Sequence, residues 1–96
     1  MGRHGPEQAV ERAVVRLAEK HGGRALKMNP RLYAGIPDRL VVLPGQPMFF
    51  VETKAPGGAP SKLQKRWHML LHLIGHDVAI PSSVEAVGAL FKEKLT

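Results

Sequence analysis

The sequence predicts an α/β sandwich: a mixed β-sheet flanked by helices. Apolar residues recur at helical spacing in three segments, and short β-branched or aromatic runs mark four others. Two of those runs are separated by a whole helix, which predicts a β-α-β unit with a right-handed crossover. The element order is therefore α-β-β-β-α-β-α. At 96 residues, a single domain spanning 1–96 is the expected organisation.

Gly5-Pro6 opens the first helix, with Pro6 where a helix start tolerates it. Val10, Val14, Leu17 and Ala18 keep the helical period to about His21, and Gly22-Gly23 stops it. Arg24 to Met28 is a candidate edge strand. Asn29 to Pro37, with its prolines and glycine, reads as a loop. Arg39-Leu-Val-Val-Leu43 has the composition of a strand buried on both faces. Pro44-Gly-Gln-Pro47 is turn chemistry, so Met48 to Lys54 should pair antiparallel with the preceding strand. Ala55 to Pro60 is a flexible loop. Ser61-Lys-Leu-Gln64 fits a capping box, and Leu63, Trp67, Leu70, Leu71 and Ile74 form the apolar face of the helix it opens. Asp77 to Ile80 is the last strand. Ser82-Ser-Val-Glu85 is a second capping-box pattern, and Val84, Val87, Phe91 and Leu95 should face inward from the closing helix.

Apolar residues make up 44 % of the chain and charged residues 23 %, a balance that excludes a disordered chain. No apolar run approaches the roughly 20 residues that cross a bilayer, so no membrane partner is expected. Met1 to Gln8 lacks the apolar core of a signal peptide. The absence of cysteine removes disulfides, thiolate metal sites and Cys nucleophiles, and makes a cytoplasmic setting the default. Fourteen Lys and Arg against eight Asp and Glu give a net charge of +6, which favours a polyanionic partner, nucleic acid first. The same charge could serve solubility alone.

Certain charges sit against the pattern. Glu52 and Lys54 end the most apolar strand and, two apart, share a face. On the strand alone, a strand running out into solvent with a surface ion pair explains them slightly better. Asp38 changes the balance. It directly precedes the partner strand, and a hairpin brings the start of one strand beside the end of the other. Two carboxylates side by side repel unless a cation holds them. Two carboxylates and an amine around a hard cation make a phosphodiesterase-type site.

Those residues carry a family resemblance. Pro37-Asp38 followed by Glu52-Thr53-Lys54 resembles the PD-(D/E)xK nuclease signature. Gly35-Ile-Pro-Asp-Arg-Leu-Val-Val42, Phe50-Val-Glu-Thr-Lys-Ala-Pro-Gly-Gly58 and Pro60-Ser-Lys-Leu-Gln64, in that order, resemble the VRR-NUC domain in its small standalone form from phages and bacteria. The resemblance runs from the first helix to about Ile80. It implies a restriction-endonuclease-like core and a DNA endonuclease dependent on Mg²⁺ or Mn²⁺, acting in a bacterial or phage-infected cell. Asp38 and Glu52 match the metal-binding carboxylates, with the Thr53 carbonyl as a further ligand. Lys54 matches the catalytic lysine and Gln64 the glutamine of the following helix. The family also implies a glutamate on the first helix. Glu7 and Glu11 lie one turn apart on the same face, and either could serve; the spacing in junction-resolving relatives favours Glu11.

Branched DNA such as a four-way junction is the expected substrate, with duplex DNA as the broader class. A non-catalytic DNA-binding accessory module on the same fold is the alternative. Pro56-Gly-Gly58 lacks phosphate-loop spacing, so no nucleotide cofactor is expected. Arg31, Arg39, Lys62 and Lys65 are candidate phosphate contacts, each indistinguishable alone from a solubility residue. Arg24, Lys27 and Arg66 belong to the same basic set. His68, His72 and His76 recur every four residues. His68, one turn beyond Gln64, is expected to contact DNA phosphate or a water behind the site. For His72 a solvated surface is an equal reading, and for His76 the favoured one. Trp67, Met69, Leu70, Leu71, Leu73 and Ile74 spread apolar surface over more than one helix face, which predicts a homodimer.

Overall fold

A computed structural model describes residues 5–96. The element order is α1 (Pro6–Lys20), β1 (Arg24–Lys27), β2 (Arg39–Val42), β3 (Phe49–Val51), α2 (Lys62–Leu73), β4 (Val78–Ala79) and α3 (Val84–Leu95). The strands form one sheet in the order β1-β2-β3-β4. β1, β2 and β3 are antiparallel neighbours, and β4 runs parallel to β3 after the α2 crossover, so the sheet is mixed.

Val10, Ala13, Val14 and Ala18 bury one stripe of α1. They pack with Val41 and Leu43, with Phe49 and Val51 of β3, and with Val87 and Phe91 of α3. The Phe49 and Phe91 rings meet edge to face at 6.0 Å. Side chains alternate along a strand, so Glu52 points away from this cluster. Gln64 and His68 of α2 meet Glu52, so α2 covers the opposite face of the sheet.

The β2–β3 register pairs Arg39 with Val51, which sets Asp38 beside Glu52 as the turn chemistry predicted. The expected strand Met48–Lys54 is shorter as a ladder because β2 ends its pairing at Arg39. The chain nevertheless continues along β4: Glu52 N–H donates to Ala79 O at 2.8 Å and Lys54 N–H to Pro81 O at 3.1 Å. Met48 is exposed and precedes the ladder. β2 is buried on one face only, at Val41, with Arg39, Leu40 and Val42 half-buried.

The loop before Asp38 is held against α2. Gly35 has φ +86, and a Cβ there would lie 2.8 Å from the Leu63 carbonyl carbon, so only glycine fits. Trp67 Nε1–H donates to Ala34 O at 2.9 Å, and the Tyr33 ring meets Trp67 edge to face.

Two local expectations shift. The expected Ser82–Glu85 capping box does not form: the N-cap of α3 is Ser83, whose hydroxyl accepts from Ala86 N–H at 3.0 Å, because the backbone enters the helix one residue later. Val84, expected inward, is exposed in the first turn, while Val87 and Phe91 are buried and Leu95 is half-buried. On α2 only Leu71 is buried. Leu63, Met69, Leu70, Leu73 and Ile74 remain exposed, Leu73 at 73 %.

Candidate active site

The hairpin end, the strand beyond it and the first turns of α2 converge on one polar cluster. The Asp38 carbonyl accepts from Met28 N–H at 2.9 Å, tying its backbone to the β1 edge. Its side chain reaches across the hairpin. Asp38 Oδ2 accepts from Thr53 N–H at 2.8 Å and from the Thr53 hydroxyl at 2.9 Å. Thr53 is fully buried, so this carboxylate is held by two donors that have no competing water.

Glu52 is 1 % exposed. Its Oε2 accepts from Gln64 Nε2–H at 2.7 Å and lies 3.6 Å from Lys54 Nζ. Gln64 Oε1 accepts twice, from Lys54 Nζ at 3.0 Å and from the Ser61 backbone N–H at 2.8 Å. The amide orientation follows from these partners. Two donors face one end and a carboxylate faces the other, so Oε1 and Nε2 cannot be exchanged. Gln64 N–H in turn donates to Ser61 Oγ, completing the predicted capping box. One side chain thus closes a helix start and joins the two charged residues of the strand.

Burial raises the Glu52 carboxyl from 4.5 to about 7, and the neighbouring Asp38 charge adds to the rise. Lys54 opposes it by charge and hydrogen bonding, and Glu7 contributes a smaller upward push. Burial, then the Lys54 charge, lowers the His68 imidazole below its usual value.

The remaining sequence candidates fall in different places. Glu11 is engaged by Arg39, whose Nε and Nη2 both lie 2.9 Å from Glu11 Oε2; Lys27 stands 4.0 Å away. Arg39 also donates through Nη1 to Ala25 O at 3.0 Å. Glu11 and Arg39 therefore clamp α1 to the β1–β2 ladder and do not join the Asp38–Glu52 cluster. Glu7, one turn nearer the helix start, is the α1 acid whose charge reaches Glu52. Arg31, Lys62 and Lys65 are exposed. His68 turns inward, its side chain 14 % exposed and its Nε2 3.8 Å from Glu52 Oε1. His72 and His76 are exposed. The part of the Thr53 side chain was missed by sequence reasoning. A hydroxyl between a carboxylate and a lysine in a strand leaves no local signal of its partner.

Among the described residues, no group of three or more His, Asp and Glu side chains could hold a metal ion by itself. Asp38 and Glu52 nonetheless offer the oxygen donors that a hard cation takes, and water and phosphate oxygens would complete its shell. Burial and then the Asp38 charge raise Glu52, and Glu52 Oε1 is buried with no hydrogen-bond partner among the described residues. A cation beside them would relieve both conditions, so the residues fit such an ion.

No family model matches the chain. It is 42 % identical over 77 residues to "Putative nuclease p44" of Acyrthosiphon pisum secondary endosymbiont phage 1, covering 80 % of this chain and 83 % of the relative. It is also similar to a solved structure described as a VRR_NUC domain, with a TM-score of 0.83 and 30 % identity over 91 % of this chain and 95 % of that one. The fold is thus an α/β fold of the nuclease type. The chain belongs to the VRR-NUC family.

The raised Glu52 carboxyl has a measurable consequence. Glu52 binds its proton more tightly when folded, at about 7, than at its ordinary 4.5. Its stabilising contribution is complete below pH 4.5 and is lost as pH rises through about 7. His68 works in the opposite sense, losing stability as pH falls below 6.5. In chelator, the Glu52-dependent fall in melting temperature should come as pH rises from about 4.5 to about 7, and Glu52→Gln should remove it. An unchanged fall in the variant would assign the pH dependence to another group.

Proposed function

We propose that this chain is a metal-dependent DNA endonuclease. A nuclease is the reading that the VRR-NUC fold and the phage relative both support. The observation that carries it is the single hydrogen-bonded cluster of Asp38, Glu52, Lys54 and Gln64 at the end of one hairpin. A surface ion pair needs none of this burial or cross-linking.

Asp38 and Glu52 would hold Mg²⁺ or Mn²⁺, with the Thr53 carbonyl available as a further oxygen ligand. The ion would supply charge neutralisation at the scissile phosphate and acidification of water. Thr53 holds the Asp38 carboxylate in place. Gln64 fixes Glu52 and Lys54 relative to each other. The Lys54 ammonium, 16 % exposed, is within reach of an incoming phosphate and would orient the attacking water or stabilise charge developing on the phosphoryl oxygens. Glu7, in place of Glu11, is the α1 acid suited to assist a cation or its water shell. Arg31, Lys62, Lys65 and Arg66 would bind flanking phosphates, giving affinity without sequence reading. Arg39 is committed to Glu11 and has no part in that surface.

Branched DNA is the proposed substrate. Residues 1–96 act as one nuclease unit with one site, so cutting two strands calls for a two-fold dimer. The exposed apolar face of α2 is the surface suited to pairing. It carries Met69, Leu70, Leu73 and Ile74.

Asp38→Asn should abolish cleavage of linear, flap and four-way substrates in Mn²⁺ while leaving DNA affinity within about threefold, because Lys and Arg contacts dominate binding. Lys54→Ala should lower the rate by about a hundredfold or more. Cleavage at the wild-type rate by Asp38→Asn would remove the nuclease assignment from these residues. Binding without cleavage by the wild-type protein would instead support an accessory module.

Sedimentation equilibrium at micromolar concentration should give a dimer, and Leu73→Glu should give a folded monomer that no longer makes paired cuts on a four-way junction. A wild-type monomer that makes paired cuts would break the link between assembly and substrate.

A further inference from the structure

Two buried polar atoms face one another without partners. Glu52 Oε1 and His68 Nε2 have no hydrogen-bond partner among the described residues, and they lie 3.8 Å apart. Buried donors and acceptors are nearly always satisfied, and an orphaned pair in a native site calls for a reason. The gap is too wide for a hydrogen bond and too narrow for a bridging water. A closure of about 0.8 Å would bring the two atoms to ordinary N–H···O length.

His68 lies one turn after Gln64 on α2, so both side chains reach Glu52 from the same helix. Gln64 holds Oε2 at 2.7 Å, and His68 stands at Oε1. The Glu52 carboxylate is therefore flanked by a nitrogen at each oxygen. A neutral imidazole carrying its proton on Nε2 would complete this support with no charge change.

We infer that His68 is a positioning residue that fixes the Glu52 carboxylate for cation binding through an Nε2–H···Oε1 hydrogen bond. The inference rests on the reading that Glu52 is a cation ligand. Of the two expected contacts for His68, DNA phosphate or a water behind the site, it departs from the first: the ring is mostly buried and its Nε2 lies 3.8 Å from Glu52 Oε1. Supporting hydrogen bonds of this type orient a ligating carboxylate, and their loss commonly costs 10–100-fold in metal affinity or activity. A half-open groove of about 450 Å³ borders His68, lined also by His72, Asp77, Leu90 and Lys94. Replacement side chains have room there, so the variants should fold.

The test is calorimetric titration of Mn²⁺ into the full chain without DNA, for wild type, His68→Leu, His68→Gln and Glu52→Gln. Circular dichroism and a thermal melt check folding of each. His68→Leu should bind Mn²⁺ about 10–100-fold more weakly. His68→Gln, which keeps a donor, should recover most of that loss. In steady-state cleavage, His68→Leu should lower kcat and leave KM for DNA unchanged. Three results would overturn the inference: wild-type Mn²⁺ affinity in His68→Leu, equal loss in the Leu and Gln variants, or a raised KM with unchanged kcat. The last would return His68 to the DNA surface. Glu52→Gln is the separate control: if it binds Mn²⁺ as wild type does, the reading of Glu52 as a ligand fails instead.

Discussion

The side-chain amide of Gln64 is the interaction on which the site depends. At one end it accepts from the Ser61 backbone N–H and from Lys54; at the other it donates to Glu52. The start of α2 and the charged end of the β3 strand therefore cannot be set independently. An ordinary capping box satisfies two orphan amides of a helix start. Here the same box turns a strand with two misplaced charges into a fixed constellation. The amide suits this task because it presents a donor and an acceptor on one planar group, whereas a carboxylate could only accept.

The second constraint is the hairpin register. Pairing of Arg39 with Val51 decides that Asp38 meets Glu52 and Thr53. A slip of one residue would send Asp38 or Glu52 to the opposite face of the sheet, into the apolar cluster under α1 and α3. The register is protected by that cluster, since Val41, Phe49 and Val51 are all buried in it. The Glu11–Arg39 clamp adds a tie from α1 to the same strand. Core packing thus holds two carboxylates together against their repulsion. The cost is visible in Glu52, whose proton affinity is raised by burial and by Asp38. A cation placed beside the pair would relieve that repulsion.

Much of this arrangement is legible in the sequence because it is written in local pattern. Strand alternation and a Pro-Gly turn are contained in short windows and together bring Asp38, Glu52 and Lys54 into one place; Gln64 joined them through the family resemblance. What was not legible depends on tertiary partners. Glu7 and Glu11 share a helix face, and only the position of Arg39 separates them. Arg39 reads as a phosphate contact until its partner across the β1–β2 ladder is known. His68 has the helical spacing of a groove residue, but its direction depends on where Glu52 lies. Ser82 and Ser83 can each cap α3, and the choice rests on one backbone angle beyond the reach of composition. The apolar surface of α2 is legible in the sequence, and Met69, Leu70, Leu73 and Ile74 are exposed in the structure.

The most direct measurement of the role given to Gln64 is the cleavage rate of Gln64→Glu in Mn²⁺, read beside its far-ultraviolet circular dichroism. Glutamate at this position still accepts from Ser61 N–H and from Lys54, so the helix start should form and the spectrum should match wild type. It cannot donate to Glu52, and it adds a like charge beside it. The expected result is a folded protein whose rate falls by about a hundredfold or more. A folded variant cutting at the wild-type rate would contradict the view that the amide, by bridging cap and strand, makes the site.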